Sequence, residues 1–221
     1  MNKLKFCLIL AKADDTFAAE NKNNNKMEQV NQKTKKDKTV TLFDRIDART
    51  VESSIMGIWK ICLEDQQYKE ASIKWATENG VSISEIPLTP ITFMLSTPGG
   101  NCYDGLALYD TIANSSTPVE IICSGKVMSM GVITLLAADI RKSYRNTTFM
   151  IHQVSGMNFG TLQDMKESVE ESERVNSLLF DIIQKKSKVT KERLDEVAKQ
   201  KEDWFFSAEE ALDMGIITEI I

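Results

Sequence analysis

The segment Ile91–Gln153, ITFMLSTPGGNCYDGLALYDTIANSSTPVEIICSGKVMSMGVITLLAADIRKSYRNTTFMIHQ, decides how this chain folds. ITFMLS is a short apolar run and reads as a buried strand. TPGG is a turn, and DGLALYDTIA carries apolar residues at helical spacing. PVEIICSG then reads as a second strand, MSMGVITLLAAD as a second helix and TTFMIHQ as a third strand. Strand, helix, strand, helix, strand in such short steps predicts an α/β fold with a parallel sheet and crossover helices.

Working outward, TVTLF (Thr39–Phe43) is a β-branched run of strand type. Asp47 is placed to cap a helix on which Val51, Ile55, Ile58, Trp59 and Cys62 fall at helical spacing. Residues 66–90 read as an insertion, helix-like through KEASIKWATE, then Gly80 and a loop ending in prolines. Beyond Gly160 a long amphipathic helix is predicted over about 162–186, and TKERLDEVAK supplies another with Thr190 as its cap. SAEEALDMG predicts a short capped helix stopped by Gly215, and IITEII a terminal strand. Residues 1–38 are polar and of low complexity, and are expected to be a disordered extension to one domain over 39–221.

The chain has 221 residues, 27% charged and 42% hydrophobic, with a net charge of −5, a balance that does not point to nucleic acid. Its 4 cysteines form no CxxC pair and there is 1 histidine, so a metal centre is not expected. No apolar run is long enough to span a bilayer, and MNKLKFCLILAKADD has too short an apolar core for a signal peptide. A cytoplasmic protein with reduced thiols is expected. No GxxxxGK[ST] occurs, so no nucleotide site is expected in this chain.

Ser129 stands at the start of the second helix, where free N–H groups and the helix dipole favour developing negative charge. Such a serine is either an N-cap or a nucleophile, with the N–H of Met130 available as an oxyanion donor. Gly100, in TPGGN, either completes a tight βα turn or offers a second donor. His152 ends an apolar strand, as a packing residue or as the only imidazole base the chain possesses. Asp203 abuts Trp204, Phe205 and Phe206, which are expected to bury its neighbourhood; it is either an orienting carboxylate or a surface one.

FMLSTPGG, GLALYDTI, CSGKVMSMGVITLLAA, FMIHQ and FFSAEEALDMGIITEII, in this order and spacing, resemble the ClpP family, the proteolytic subunits of Clp protease. The resemblance implies a head built from the ClpP/crotonase-like stacked ββα repeat and a protruding strand–helix handle at about 155–187, its strand around 157–161. It implies a serine endopeptidase with Ser129 as nucleophile, His152 as general base, Asp203 as orienting carboxylate, and the N–H groups of Gly100 and Met130 as the oxyanion hole. It further implies heptameric rings stacked in pairs, unfolded polypeptide substrates, no cofactor in the chain itself, and a Clp-type AAA+ ATPase that uses ATP to feed the chamber.

The chain departs from the family pattern at the 66–90 insertion, at HQVSGMNFG after the histidine, and at Met94 and Ser115, where aromatic docking residues are usual. Lys201 and Glu202 exchange the signs of a pair that family members use between rings. Three other functions compete: a Ser–Lys peptidase of the signal-peptide-peptidase type, a non-catalytic ring subunit, and a crotonase-type acyl-CoA enzyme.

Overall fold

In a computed structural model the described residues are 37–83, 85–157 and 159–221. The chain divides into two compact units, 1–37 and 38–221. Every strand and helix among the described residues belongs to the second unit. The expected disorder of residues 1–36 lies outside the described residues.

Strand β1 (Thr39–Leu42) leads to helix α1 (Ala48–Glu78), followed by β2 (Ile91–Thr97) and α2 (Cys102–Ala113). Strand β3 (Val119–Met128) runs into the short helix α3 (Met130–Leu135), and β4 (Ile140–Ser143) and β5 (Thr148–Ile151) come next. Helices α4 (Leu162–Lys186) and α5 (Lys191–Gln200), strand β6 (Trp204–Phe206), helix α6 (Ala208–Asp213) and strand β7 (Glu219–Ile220) complete the order.

The main sheet is parallel, in the order β1-β2-β3-β4-β7. One face is buried and the other is partly open: residues along β2 and the first half of β3 alternate between buried and half-buried, and Thr39 and Thr41 of β1 are exposed. Ile91, Phe93, Leu95, Ile121 and Cys123 are fully buried.

The feature that builds the site is a change of partner along β3. Its first half pairs with β4, from Glu120 to Cys123, and its last residues pair instead with β5, from Lys126 to Met128. Between them lies an irregularity against β2: Leu95 pairs with Cys123 but Thr97 with Val127. Gly125 sits in this bulge at φ 66°, a backbone state that costs glycine little and other residues much. β5 then pairs antiparallel with β6. A second, smaller set of strands, β3 end, β5 and β6, thus grows from the main sheet.

Helix α1 opens on a capping box between Asp47 and Thr50. Its buried stripe is Val51, Ser54, Ile58, Ile61 and Asp65. Trp59, expected on that stripe, is 60% exposed, because the residue after Ile58 is turned about 100° round the helix. The segment expected as an insertion begins as an unbroken continuation of α1; past Asp65 only Ala76 of this helix is buried. Asp65 itself is clasped by the Lys38 ammonium at 2.8 Å and the Thr117 hydroxyl at 2.7 Å, which fastens α1 to the starts of β1 and β3.

The long helix α4 starts on a Thr161–Asp164 capping box and α6 on a Ser207–Glu210 box. The strand expected around 157–161 is absent: no strand occurs among the described residues of 155–161. Two elements are shorter than their sequences suggested, α3 by its early turn at Leu136 and β7, which pairs over Glu219 and Ile220. Strand β4 was not anticipated; Arg141, buried within it, donates to the carbonyls of Ala138, Gly215 and Ile216 and ties the C-terminal segment to the sheet.

Candidate active site

Strand register brings the candidate residues to one place. Met128 pairs with Met150 in the parallel β3–β5 ladder, so Ser129 and His152 leave the sheet at the same end. β6 runs the other way, and Ile151 pairs with Trp204, so Asp203 enters the sheet opposite the point where His152 leaves it. The result is a short relay. Ser129 Oγ lies 2.8 Å from His152 Nε2, and His152 Nδ1 lies 3.1 Å from Asp203 Oδ1. The tautomer that donates from Nδ1 to the carboxylate leaves the Nε2 lone pair facing the serine hydroxyl.

Ser129 is not used as an N-cap: it makes no side-chain capping bond, and its backbone is at φ 53°, ψ −123°. For a residue with a Cβ this conformation costs on the order of 1–3 kcal/mol and persists only where neighbours enforce it. They do. Ser129 N–H donates to Met150 O at 2.7 Å, and its carbonyl accepts from Val132 N–H at 3.0 Å. The sharp turn from strand to helix lifts Oγ out of the backbone and toward the imidazole.

The PGG turn lies directly against this elbow. A Cβ built on Gly99 would stand 2.7 Å from Ser129 Cβ and 3.1 Å from Met130 N, and one on Gly100 would run into the carbonyl of Ile46. The turn is held by Ile46 N–H donating to Gly99 O and Asn101 N–H donating to Ile46 O, both short, and by the Thr97 hydroxyl accepting from Gly99 N–H. In that parallel bridge the amide of Gly100 itself points away from Ile46. Met130 opens α3, so its N–H is one of the donors a helix leaves unmade. These are the two amides singled out from the sequence, and both residues line the cleft that holds Ser129 and His152.

The cleft encloses about 240 Å³. Ile133 of α3 and Leu179, Phe180 and Ile183 of α4 form its apolar wall. Burial pushes the Cys102 thiol above its ordinary value, so it lines the cleft as a neutral group. Asp203 does not share that burial: its side chain is 60% exposed, against the expectation from its aromatic neighbours, because Phe205 is exposed and Trp204 only half-buried, leaving Phe206, stacked on Phe149, as the one fully packed ring of the three. Trp204 instead carries the Arg193 guanidinium 4.4 Å above its ring. Arg193 also pairs with Glu202 at 3.0 Å, so this carboxylate already has a partner within the chain.

Asn176 was missed from the sequence. Its side-chain oxygen accepts from Val154 N–H at 2.9 Å and moors the segment after His152 to α4. Nothing in an isolated asparagine on a charged helix signals this. The apolar wall from α4 was legible only as a helix stripe.

Ser129, His152 and Asp203 form a hydrogen-bonded relay beside a cleft with an apolar wall, and Gly100 and Met130 line the same cleft, an arrangement suited to serine-nucleophile hydrolysis. Comparisons with known proteins place the chain in a family. The family model described as Clp protease matches residues 47–221. The ATP-dependent Clp protease proteolytic subunit of Deinococcus radiodurans is 36% identical over 140 residues, 62% of this chain and 68% of that one. A ClpP1 point mutant from Listeria monocytogenes superposes with a TM-score of 0.66 at 23% identity, covering 89% of this chain and 95% of the other, which places the two in one fold. The chain belongs to the Clp protease family of ClpP-type serine peptidases. Among the described residues no helix is long and apolar enough to cross a membrane.

Proposed function

We propose that this chain is a ClpP-type endopeptidase that cuts unfolded polypeptides to short peptides. Ser129 attacks the substrate carbonyl while His152 takes its proton. Asp203 orients the imidazole and stabilises its charged form, and the N–H groups of Gly100 and Met130 receive the oxyanion. His152 then protonates the leaving amine, and water releases the acyl-enzyme by the same route. No cofactor enters this chemistry. The observation that carries the reading is the elbow at Ser129: a serine held off its capping position, at positive φ, with Oγ 2.8 Å from the only histidine in the chain.

The lining of the cleft favours a His over a Lys base: His152 is on it and, among the described residues, no lysine is. The intact relay of Ser129, His152 and Asp203 disfavours an inert ring subunit.

Family membership supports assembly into heptameric rings stacked in pairs, working in the cytoplasm with a Clp-type AAA+ ATPase that unfolds substrates at the expense of ATP. Leu162, Met165 and Val169 expose apolar side chains along one side of α4, as a helix awaiting a second copy would. The test is to size the purified protein while assaying hydrolysis of a fluorogenic peptide and of an unfolded protein, with and without such an ATPase. Peptide cleavage by a large ring, and protein cleavage only with ATPase and ATP, is the expected result. A monomer inert toward both substrates would overturn the proposal.

A further inference from the structure

The cleft is one-sided in charge. Its ionisable lining among the described residues is His152, Cys102 and Arg45, with no carboxylate. Asp203 reaches His152 without itself lining the cleft, and the adjoining hollow carries Asp47, Asp104 and Glu171. Two of these are already engaged. Asp47 accepts from Thr50 N–H at 2.9 Å, and Glu171 is gripped by Arg174 and by the Tyr103 hydroxyl, which hold its pKa down to about 2.

Arg45 lines both hollows and stands where they meet. Its backbone is fixed: its N–H donates to Asp44 Oδ1 at 2.7 Å, its carbonyl accepts from the Thr50 hydroxyl at 2.8 Å, and the next residue, Ile46, is fully buried and bridged to Gly100. Its guanidinium, by contrast, pairs with no carboxylate among the described residues; Asp44 is taken by Arg49. This exposed cation is fastened by its backbone next to the PGG turn and shares the cleft with Ile133, Leu179, Phe180 and Ile183.

We propose that Arg45 makes this cleft select a carboxylate of the substrate chain, from an Asp or Glu side chain or from a free C-terminus, close to the apolar residue held against Ile133, Leu179, Phe180 and Ile183. A guanidinium presents a planar fork that matches a carboxylate, and the low-dielectric wall concentrates its field within the cleft. No carboxylate lines the cleft itself among the described residues, so an acid held there beside Arg45 comes from the substrate. This inference rests on the peptidase reading above.

Two measurements keep the two readings apart. In the first, full-length wild-type protein is given fluorogenic peptides with one apolar core and Asp, Asn or Lys moved one position at a time along both flanks, with amidated or free C-termini. At least one acidic peptide should exceed its Lys counterpart in kcat/KM by about 1.5-fold to fivefold, the range of an exposed ion pair, and the gap should narrow as salt is raised. Arg45→Gln should erase the gap and Arg45→Glu should invert it. An advantage confined to amidated internal acids identifies the side chain as the source; one confined to free termini identifies the C-terminus.

In the second, the same peptides are titrated into the Ser129→Ala protein and its Arg45→Gln derivative by fluorescence anisotropy, which needs no turnover. If wild type cleaves nothing but the Ser129→Ala protein prefers acidic peptides through Arg45, the peptidase reading fails and the carboxylate site stands. Cleavage or binding indifferent to charge, or a preference that survives Arg45→Gln, overturns the inference.

Discussion

Replacing Gly99 by alanine tests the contact on which the site geometry depends. Gly99 has φ 91°, and an added Cβ would lie 2.7 Å from Ser129 Cβ and 2.8 Å from Met128 O. Carbon atoms in contact prefer a separation of about 3.5–4.0 Å, so the turn and the serine elbow must part by about 1 Å. Positive φ alone costs a residue with a Cβ about 1–2 kcal/mol, and overpacking adds about 1–3 kcal/mol. A total of about 2–5 kcal/mol lowers Tm by about 4–20 °C for a chain of this size. The same 1 Å shift carries Ser129 Oγ away from His152 and the two amides, and a misplacement of that size costs about a hundredfold in turnover.

Gly80 supplies the control. It too has positive φ, 65°, but a Cβ there would meet nothing within 4 Å. Gly80→Ala should therefore cost about 1 kcal/mol, with peptide hydrolysis unchanged. Calorimetry and kcat/KM on the two variants at equal protein concentration decide the matter. If Gly99→Ala melts with Gly80→Ala and keeps wild-type turnover, the proposed packing of the turn against the elbow is wrong.

Other expectations concern single interactions. Asp203→Asn replaces an acceptor for His152 Nδ1 with an amide that cannot stabilise imidazolium; kcat for a peptide should fall by about 10²–10⁴, and an unchanged kcat would remove Asp203 from the mechanism. Arg141→Lys leaves one ammonium to serve the carbonyls of Ala138, Gly215 and Ile216, and should lower stability in urea by about 2–3 kcal/mol; a change below about 0.5 kcal/mol would contradict the role given to this fork. Glu171 has its pKa lowered from 4.5 to about 2 by Arg174 and Tyr103, so its contribution is present above pH 4.5 and fades as pH falls toward 2. The stability difference between wild type and Glu171→Gln should shrink over that window, whereas a constant difference would show that the carboxylate's charge is not what matters.

The alternation of apolar runs and turn residues from Ile91 to Gln153 made the parallel sheet legible, because each strand, turn and helix is marked within its own few residues. The capping residues Asp47, Thr190 and Ser207 likewise act within a single helical turn. What was not legible depends on distant partners. Strand β4, IRKS, is short and mostly polar; it is held as a strand where Arg141 finds carbonyls some 75 residues away. The continuation of α1 past Asp65 carries few apolar residues to separate it from a new element. The approach of Asp203 to His152 follows from the antiparallel register of β5 and β6, which no local pattern encodes. At Ser129 the sequence left an N-cap and a nucleophile both open. The side chain forgoes the cap, and only the φ angle and the imidazole beside it reveal that.

The central claim is that Ser129 is a nucleophile activated by His152. Mass-spectrometric mapping of the adduct formed with a fluorophosphonate probe tests it most directly. Wild type should carry the probe on Ser129, with labelling abolished in Ser129→Ala and strongly slowed in His152→Ala. An adduct on any other residue, or labelling that persists in Ser129→Ala, would contradict the account.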